Sequence, residues 1–318
     1  MSRLAGARID LQRQGLSAEV QTNWMPRALG SMMLRPGWQY LGSTASDAAA
    51  RMIPFVYAAD DTALIEVSGA SIRFWIDDAV IARPSVATTI TNGTFDTDLT
   101  GWTDGDESGA TSAWATGGYM SLAGTGTAAA IRTQAVAPSG ADTNVEHAIR
   151  VVVLRGPVTL RVGSTSGGDD YIAETNLGAG THSLALTPTG TFYVRLQTRT
   201  KYSVVVESCT IESSGAVALP SPWAEADLDL LRWDSSADVV YVACHGYQPR
   251  KVERRSARSW SIVKYEPADG PFRIMNTSPT TITSNVLSGD GTLTASAPLF
   301  RPTHVGALFR HESNGQTV

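Results

Sequence analysis

Hydrophobic positions along the 318-residue chain recur in short runs separated by turn residues, and seldom at helical spacing. Runs of this length that are rich in β-branched and aromatic residues and bounded by Gly, Asn, Asp or Pro are typical of antiparallel strands. The pattern predicts a mainly β fold with a few short helices. The predicted strands are 52–57, 63–67, 72–76, 148–154, 158–162, 182–186, 191–197, 202–206, 239–244 and 259–264, with a closing hairpin of 280–283 and 292–295.

Two short segments favour helix instead. Leu16, Val20 and Trp24 share one face at four-residue spacing, which predicts a helix that ends before a proline. Residues 222–227 predict a short helical turn with Ser221 as its cap, proline at its first position and acids in its first turn. Between them, residues 31–40 predict a strand, a turn at Pro-Gly and a second strand.

Composition divides the chain into three parts. From residue 87 to 214 it is rich in Thr, Gly, Ala and Ser, and the first lysine is Lys201. Many short strands with even turn spacing predict a β-sandwich of the jelly-roll type there. The predicted organisation is a discontinuous β-rich platform domain of residues 1–88 and 215–270, an inserted sandwich of 89–214, and the start of a further β-rich element at 271–318.

Charge and cysteine content narrow the function classes. The net charge of −5 argues against tight nucleic-acid binding, which depends on clustered Lys and Arg. Cys209 and Cys244 lie in separate strand-like runs without metal-ligand spacing, so we expect two buried free thiols. The start of the chain lacks the apolar segment of a signal peptide, and no run reaches the about 18 apolar residues of a membrane span. These features predict a protein made in a reducing cytosol.

The sequence carries no recognisable catalytic set. Its histidines show no two-ligand metal spacing, and neither a nucleophile elbow nor a phosphate-binding loop is present. Carboxylates on Gly-rich loops could serve a glycosidase, but such groups are more often solvated. They are Asp104, Asp106, Glu107, Asp169 and Asp170. We therefore expect a protein that is not an enzyme.

One basic cluster consists of Arg250, Lys251, Arg254, Arg255 and Arg258. Three interpretations remain open: pairing with acids of a neighbouring subunit, a solvated face, and contact with DNA. In an acidic chain the subunit interface is favoured, since guanidinium groups form forked pairs with carboxylates.

Ordered segments on both sides of the predicted insertion resemble the nozzle proteins of short-tailed phages, also called tail tubular protein B. The resemblance is absent from the insertion. The segments are 34–40, 51–55, 72–75, 221–228, 231–233, 236–241, 248–252, 259–260, 269–272, 298–300 and 304–310.

This resemblance implies a structural protein of the virion, assembled in the host cytoplasm. The implied assembly is a homo-oligomeric ring, a hexamer, at the distal part of the tail. It would dock on the tail tube or adaptor protein, hold tail fibres, and let genomic DNA pass without tight binding. Family members are usually longer, so we expect a fragment or a short member.

The insertion carries a second resemblance. Asn92 to Asp96, followed by Gly101-Trp102, together with 206–211, is similar to the first and last strands of carbohydrate-binding jelly rolls. The resemblance implies that Asp96 and Glu207 share a structural calcium ion; two solvated carboxylates are the alternative.

Aromatic residues of the insertion add a second candidate site. Trp114 and Tyr119 lie on a Gly/Ser/Thr-rich segment and are candidates for stacking on sugars, whereas Trp102 is expected in the core. The alternative function is therefore an adhesin that binds a host surface glycan.

Overall fold

A computed structural model describes residues 22–27, 31–58, 61–266, 278–286, 290–307, 309, 312–313 and 316–317. The chain divides into two compact units, residues 1–42 and 43–318. Among the described residues, no helix has the length and apolar character to cross a membrane.

The first unit contains a small hairpin of β1 (Trp24–Pro26) and β2 (Met32–Leu34). The helix predicted through Trp24 is wrong at that residue, which is extended and pairs with Leu34; residues 1–21 lie outside the described part of the chain. The strand predicted after the Pro-Gly turn is also wrong, because residues 35–40 have no regular structure.

The second unit confirms a mainly β fold. Its strands, in chain order, begin with β3 (Ala50–Ala58), β4 (Asp61–Ser68), β5 (Ser71–Ile76), β6 (Ala79–Val80) and β7 (Ala82–Arg83). Those of the predicted insertion are β8 (Thr103–Asp104), β9 (Thr111–Ala115), β10 (Tyr119–Ala123), β11 (Ala130–Val136), β12 (His147–Arg155), β13 (Val158–Gly163), β14 (Ile172–Leu177), β15 (Gly180–Leu186), β16 (Phe192–Thr198) and β17 (Val204–Ile211).

The remaining strands follow the predicted insertion. They are β18 (Gly215–Ala216), β19 (Ala218–Pro220), β20 (Arg232–Ser236), β21 (Val239–Ala243), β22 (Arg250–Ser256), β23 (Ser259–Lys264), β24 (Ile282–Ser284), β25 (Leu293–Ala295), β26 (Glu312–Ser313) and β27 (Gln316–Thr317). The predicted closing hairpin is confirmed as the antiparallel pair β24–β25.

Three short 3-10 turns complete the regular structure of the described residues: Ala45–Asp47, Glu225–Leu230 and Pro302–His304. The second matches the helical turn predicted after residue 221, with Glu225 and Asp227 in its first turn. The predicted cap is wrong. The turn starts later than expected, its cap position is Ala224, and no side chain caps it.

Two large sheets enclose a hydrophobic cluster made by the predicted insertion. The nine-stranded sheet has the order β20-β21-β22-β23-β15-β12-β17-β10-β9, and the five-stranded sheet has the order β14-β13-β16-β11-β8. Met120 and Ile149 of the first sheet and Leu160 and Val194 of the second are fully buried in this cluster. Alternation along each strand places these side chains on the inner face.

A second hydrophobic cluster joins segments from both sides of the insertion. The sheet β19-β5-β4-β3 contributes Phe55 and Phe74, and the later strands contribute Trp260. The Phe74 and Trp260 rings stack with centroids 4.3 Å apart, and Phe55 meets Trp260 edge-on at 5.8 Å. Aromatic pairs of this kind add about 0.5–1.5 kcal/mol beyond the burial of their area.

The nine-stranded sheet crosses from one part of the chain to the other. Its strands β20 to β23 follow the insertion, whereas β15, β12, β17, β10 and β9 belong to it. The sandwich and the returning segment therefore share backbone hydrogen bonds, and the chain is more than two domains joined by a linker.

This shared sheet changes what deletion of residues 90–213 should do. An insertion alone predicts a folded remainder, but the deletion leaves β23 without β15 and leaves the buried Arg83 without its carboxylate partners. We expect a destabilised product that self-associates through the open strand edge. Near-UV circular dichroism and light scattering would measure both effects.

Adding Arg83→Leu to the deleted chain should recover part of the stability, because it removes a stranded buried charge. A deleted chain that is monomeric, and is not stabilised by Arg83→Leu, would contradict this expectation.

Candidate functional site

The most elaborate polar structure in the described residues lies where the inserted sandwich meets the rest of the chain. We call it the seam: the β15–β23 ladder together with the hydrogen-bonded network around Arg83. The ladder pairs Gly180 with Val263 and Ser183 with Trp260. A structural role for this chain depends on this connection, so we take the seam as the candidate site.

The ladder requires a glycine at its start. Gly180 has a φ of +152°, and a Cβ there would overlap the carbonyl oxygen of Ile262 on β23. A side chain at this position would separate the two strands. The close approach of the backbones explains why β15 begins with glycine.

Arg83 is the centre of the network. Its side chain is only 3% exposed, and its donors reach four groups. Nε donates to Glu212 at 3.0 Å, and Nη1 to Glu146 at 2.9 Å. Nη2 donates to the Ser183 hydroxyl and to the Arg258 carbonyl, both at 2.8 Å.

The strands explain how these residues meet. Arg83 ends β7 immediately before the insertion and pairs with Gly215 of β18, which follows it. The chain therefore leaves and returns at one place. Glu212 lies at the end of the last inserted strand, so its carboxylate arrives beside Arg83.

Glu212 is saturated with donors. It also accepts hydrogen bonds from Arg150 Nε at 2.9 Å and from the Ser183 hydroxyl at 2.7 Å, and its side chain is 5% exposed. A buried carboxylate is tolerated when its lone pairs are satisfied in this way. Arg150 extends the network to the returning chain by donating to the Ala218 carbonyl at 2.8 Å.

Glu146 connects the network to the surface. It pairs with both Arg83 and Arg258. Burial alone would raise the pKa of Glu146, but hydrogen bonds from Arg258 and Arg83 outweigh it and lower the pKa below the usual value. The carboxylate is therefore charged at neutral pH.

His182 forms a second polar contact across the seam. Nε2–H donates to the Gly178 carbonyl at 2.9 Å, so Nδ1 accepts from the Ser261 hydroxyl of β23 at 2.8 Å. Burial lowers the pKa of His182 to about 4. The imidazole is therefore neutral and acts as a fixed donor and acceptor.

Two shallow hollows flank this network. The first, of about 370 Å³, is lined by Arg83, Arg150 and Glu212. The second is lined by Arg150, Thr181 and Glu207. Neither encloses a ligand-sized chamber with a catalytic arrangement, and their polar walls belong to the seam itself.

The predicted basic cluster is distributed along β22 and the following turn, and its charges have partners within the chain. Arg254 pairs with Asp61 and Asp238, and its guanidinium lies 4.6 Å from the centroid of the Tyr57 ring. Arg258 pairs with Glu146 and so belongs to the seam.

The other members pair locally. Lys251 and Arg255 both contact Glu253, at 2.8 and 2.7 Å. Arg250 is half-buried, and burial lowers its pKa. Assignment of the cluster to a subunit interface stays a prediction.

The two calcium candidates occupy different local settings. Asp96 accepts a hydrogen bond from the Thr94 hydroxyl at 2.7 Å, whereas Glu207 lies exposed on β17 and lines the second hollow. The described part of the chain contains no group of three or more His, Cys, Asp or Glu side chains arranged to hold a metal. A calcium site here would need further oxygen ligands from backbone or water.

The two glycan candidates lie on opposite faces of the nine-stranded sheet. Trp114 pairs with Met120, and Tyr119 pairs with Ala115. Because neighbouring residues in a strand point to opposite faces, one sugar platform cannot include both rings. The Trp114 indole donates to the Phe95 carbonyl at 2.8 Å, and its side chain remains 37% exposed.

Two expectations about the core are confirmed. Trp102 is buried and meets Phe95 edge-on with centroids 5.6 Å apart. Cys209 and Cys244 are buried free thiols, and burial raises the pKa of Cys209 to about 12.

The loop carboxylates considered for glycosidase chemistry hold loops in place. Asp106 accepts from the Ile131 amide at 2.6 Å, and Glu107 from the Ala129 amide at 2.7 Å. Asp170 accepts from the Ser164 amide at 2.8 Å.

The seam residues were not among the predicted site residues. Arg83 and Glu212 lie within five residues of the ends of the low-charge segment 87–214. Charged residues in strand-like sequence at both ends of a compositional insertion are the signal that could have found them.

No protein-family model, curated protein or solved structure matches this chain. The resemblances therefore depend on the residues quoted above.

Glu212→Gln should destabilise the protein. It leaves Arg83 buried with one partner weakened, and disrupting a buried ion pair from one side costs on the order of 3 kcal/mol. Urea unfolding would measure the change in free energy of unfolding. The matched control is Glu225→Gln, which changes an exposed carboxylate and should have an effect of about 0.5 kcal/mol or less. Equal effects of the two variants would contradict a special role for the network.

Stability should fall as the pH drops from about 6.5 to about 4. The unfolded chain binds a proton at His182 near pH 6.5, whereas the folded chain resists protonation until about pH 4. The free energy of unfolding therefore decreases through this window by about 3 kcal/mol and levels off below it.

Urea unfolding at pH 7, 6 and 5 would show the slope, and His182→Gln should flatten it. His245→Gln, at an exposed histidine, is the control and should leave the slope unchanged. An unchanged slope in His182→Gln would show that other groups cause it.

Proposed function

We propose that this chain is a structural subunit of a phage tail ring of the nozzle type. The observation that carries the proposal is the second hydrophobic cluster, in which the nozzle-like segments from both sides of the insertion pack together. Ile53 and Phe74 precede the insertion, and Trp223 and Trp260 follow it. Segments that resemble one family and form one core are expected of a common structural unit interrupted by an insertion.

The seam suits a protein that bears mechanical load. A tail component experiences force during attachment and genome ejection, and a flexible linker would let an inserted module swing. Here the module is connected through a β-ladder and a buried ion-pair network. Such a connection resists relative motion because opening it would break several hydrogen bonds at once.

The acidic charge supports the role proposed for the ring interior. A closed ring multiplies the charge of −5 by its copy number. Surface acids would repel phosphate over about 8 Å at physiological salt, and few phosphate contacts would form to slow the DNA. Within this proposal the ring is a hexamer that docks on a tail tube or adaptor protein and holds fibres.

Measurement of intact phage particles tests the proposal. The chain should be a virion component at a fixed copy number that a cyclic ring accounts for, and antibody labelling should place it at the distal end of the tail. Quantitative mass spectrometry against the major capsid protein gives the ratio. Absence from purified particles, or a variable trace amount, would overturn the structural assignment.

A further inference from the structure

The outer face of the five-stranded sheet carries an arrangement that the fold does not explain. Each strand alternates between core and outer positions, so the outer residues form rows across β14, β13, β16 and β11. In one row Arg161 of β13 lies directly opposite Arg195 of β16, which in turn lies opposite Thr133 of β11. Like charges at directly opposed positions destabilise a sheet.

Arg195 has no hydrogen-bond or ion-pair partner in the described part of the chain, and its Nε is shielded from solvent without a partner. Arg161 pairs with Glu174, and its Nη1 donates to the Gly167 carbonyl at 3.3 Å, but its Nε also lacks a partner. Desolvated guanidinium donors without acceptors are costly, which makes the pair a poor device for stability.

The surroundings do not neutralise this charge. Burial lowers the pKa of Arg195, and the nearby cations Arg161 and Arg199 lower it further against the opposing effect of Glu107. With Glu174 beside Arg161, the local balance is three arginines against two glutamates. One guanidinium is in excess where the sheet face is partly enclosed by the loop at Gly167.

Neighbouring rows supply groups suited to a sugar. Gln197, next to Arg195 on the same face, has a shielded Oε1 without a partner. On the other side of Arg195, Tyr193 lies opposite Gly163 and Ala135, whose small size leaves space beside the half-buried ring. A tyrosine ring can stack on a sugar face, and an amide oxygen can accept a hydroxyl proton.

We propose that this face binds an acidic glycan, with its anionic group between Arg161 and Arg195 and a sugar ring against Tyr193 and Gln197. Two guanidinium forks give charge-assisted hydrogen bonds to a carboxylate or sulfate and relieve the repulsion between them. The inference does not depend on the ring proposal.

The full chain should be titrated with oligogalacturonate, dextran sulfate, neutral dextran and single-stranded DNA by calorimetry. We expect binding to at least one of the two acidic saccharides and none to dextran. A preference between them identifies the anionic group as carboxylate or sulfate.

Arg195→Gln should weaken that binding about tenfold or more, because it removes a charge-assisted contact. Arg195→Lys should fall between Arg195→Gln and the unmodified chain, since it keeps the charge but loses the fork. Arg301→Gln is the matched control, because it removes the same charge from an exposed residue elsewhere and should leave affinity unchanged. Thermal unfolding of each variant reports whether the fold is intact.

Three results would overturn the proposal. They are equal weakening by Arg195→Gln and Arg301→Gln, tighter binding to DNA than to either acidic saccharide, and no binding to either saccharide at millimolar concentration.

Discussion

The burial of Arg83 is the constraint on which the arrangement of the second unit depends. A guanidinium removed from water needs acceptors on nearly every side. Those acceptors come from Glu146, Ser183 and Glu212 in the insertion and from the Arg258 carbonyl after it. Only one mutual placement of these segments satisfies the charge, so the network selects a single docking of sandwich and platform where hydrophobic contact alone would allow several.

The shared sheet follows from that placement. Once β7 and β18 lie side by side, β15 comes within reach of β23, and Gly180 lets the two backbones pair closely. The His182–Ser261 contact then fixes the register, because a shift of one residue would turn the imidazole to the other face. Polar groups specify the geometry at this seam, and the two hydrophobic clusters on either side supply most of the stability.

Local pattern predicted much of the fold and little of the candidate site. Alternation over 72–76 and 259–264 depends on neighbours in sequence, and both segments are strands. The Arg83–Glu212 pair joins residues 129 positions apart, and β15–β23 pairing joins two strands that each look complete alone. Periodicity also failed at Trp24, where a three-residue pairing with β2 replaced the expected helix. Such choices depend on tertiary partners that no sequence window contains.

Arginines in this chain divide into two groups by what surrounds them, and the division separates structural from ligand-binding roles. Arg83 and Arg254 each meet two carboxylates, an arrangement that serves the fold. On the outer sheet face, Arg195 meets another arginine and no acceptor in the described residues. A chain with only 17% charged residues keeps few charges at all, and those it buries at the seam are carefully paired. An unpaired cation beside a like charge lowers stability, so its retention is best explained by an external anion that completes the set.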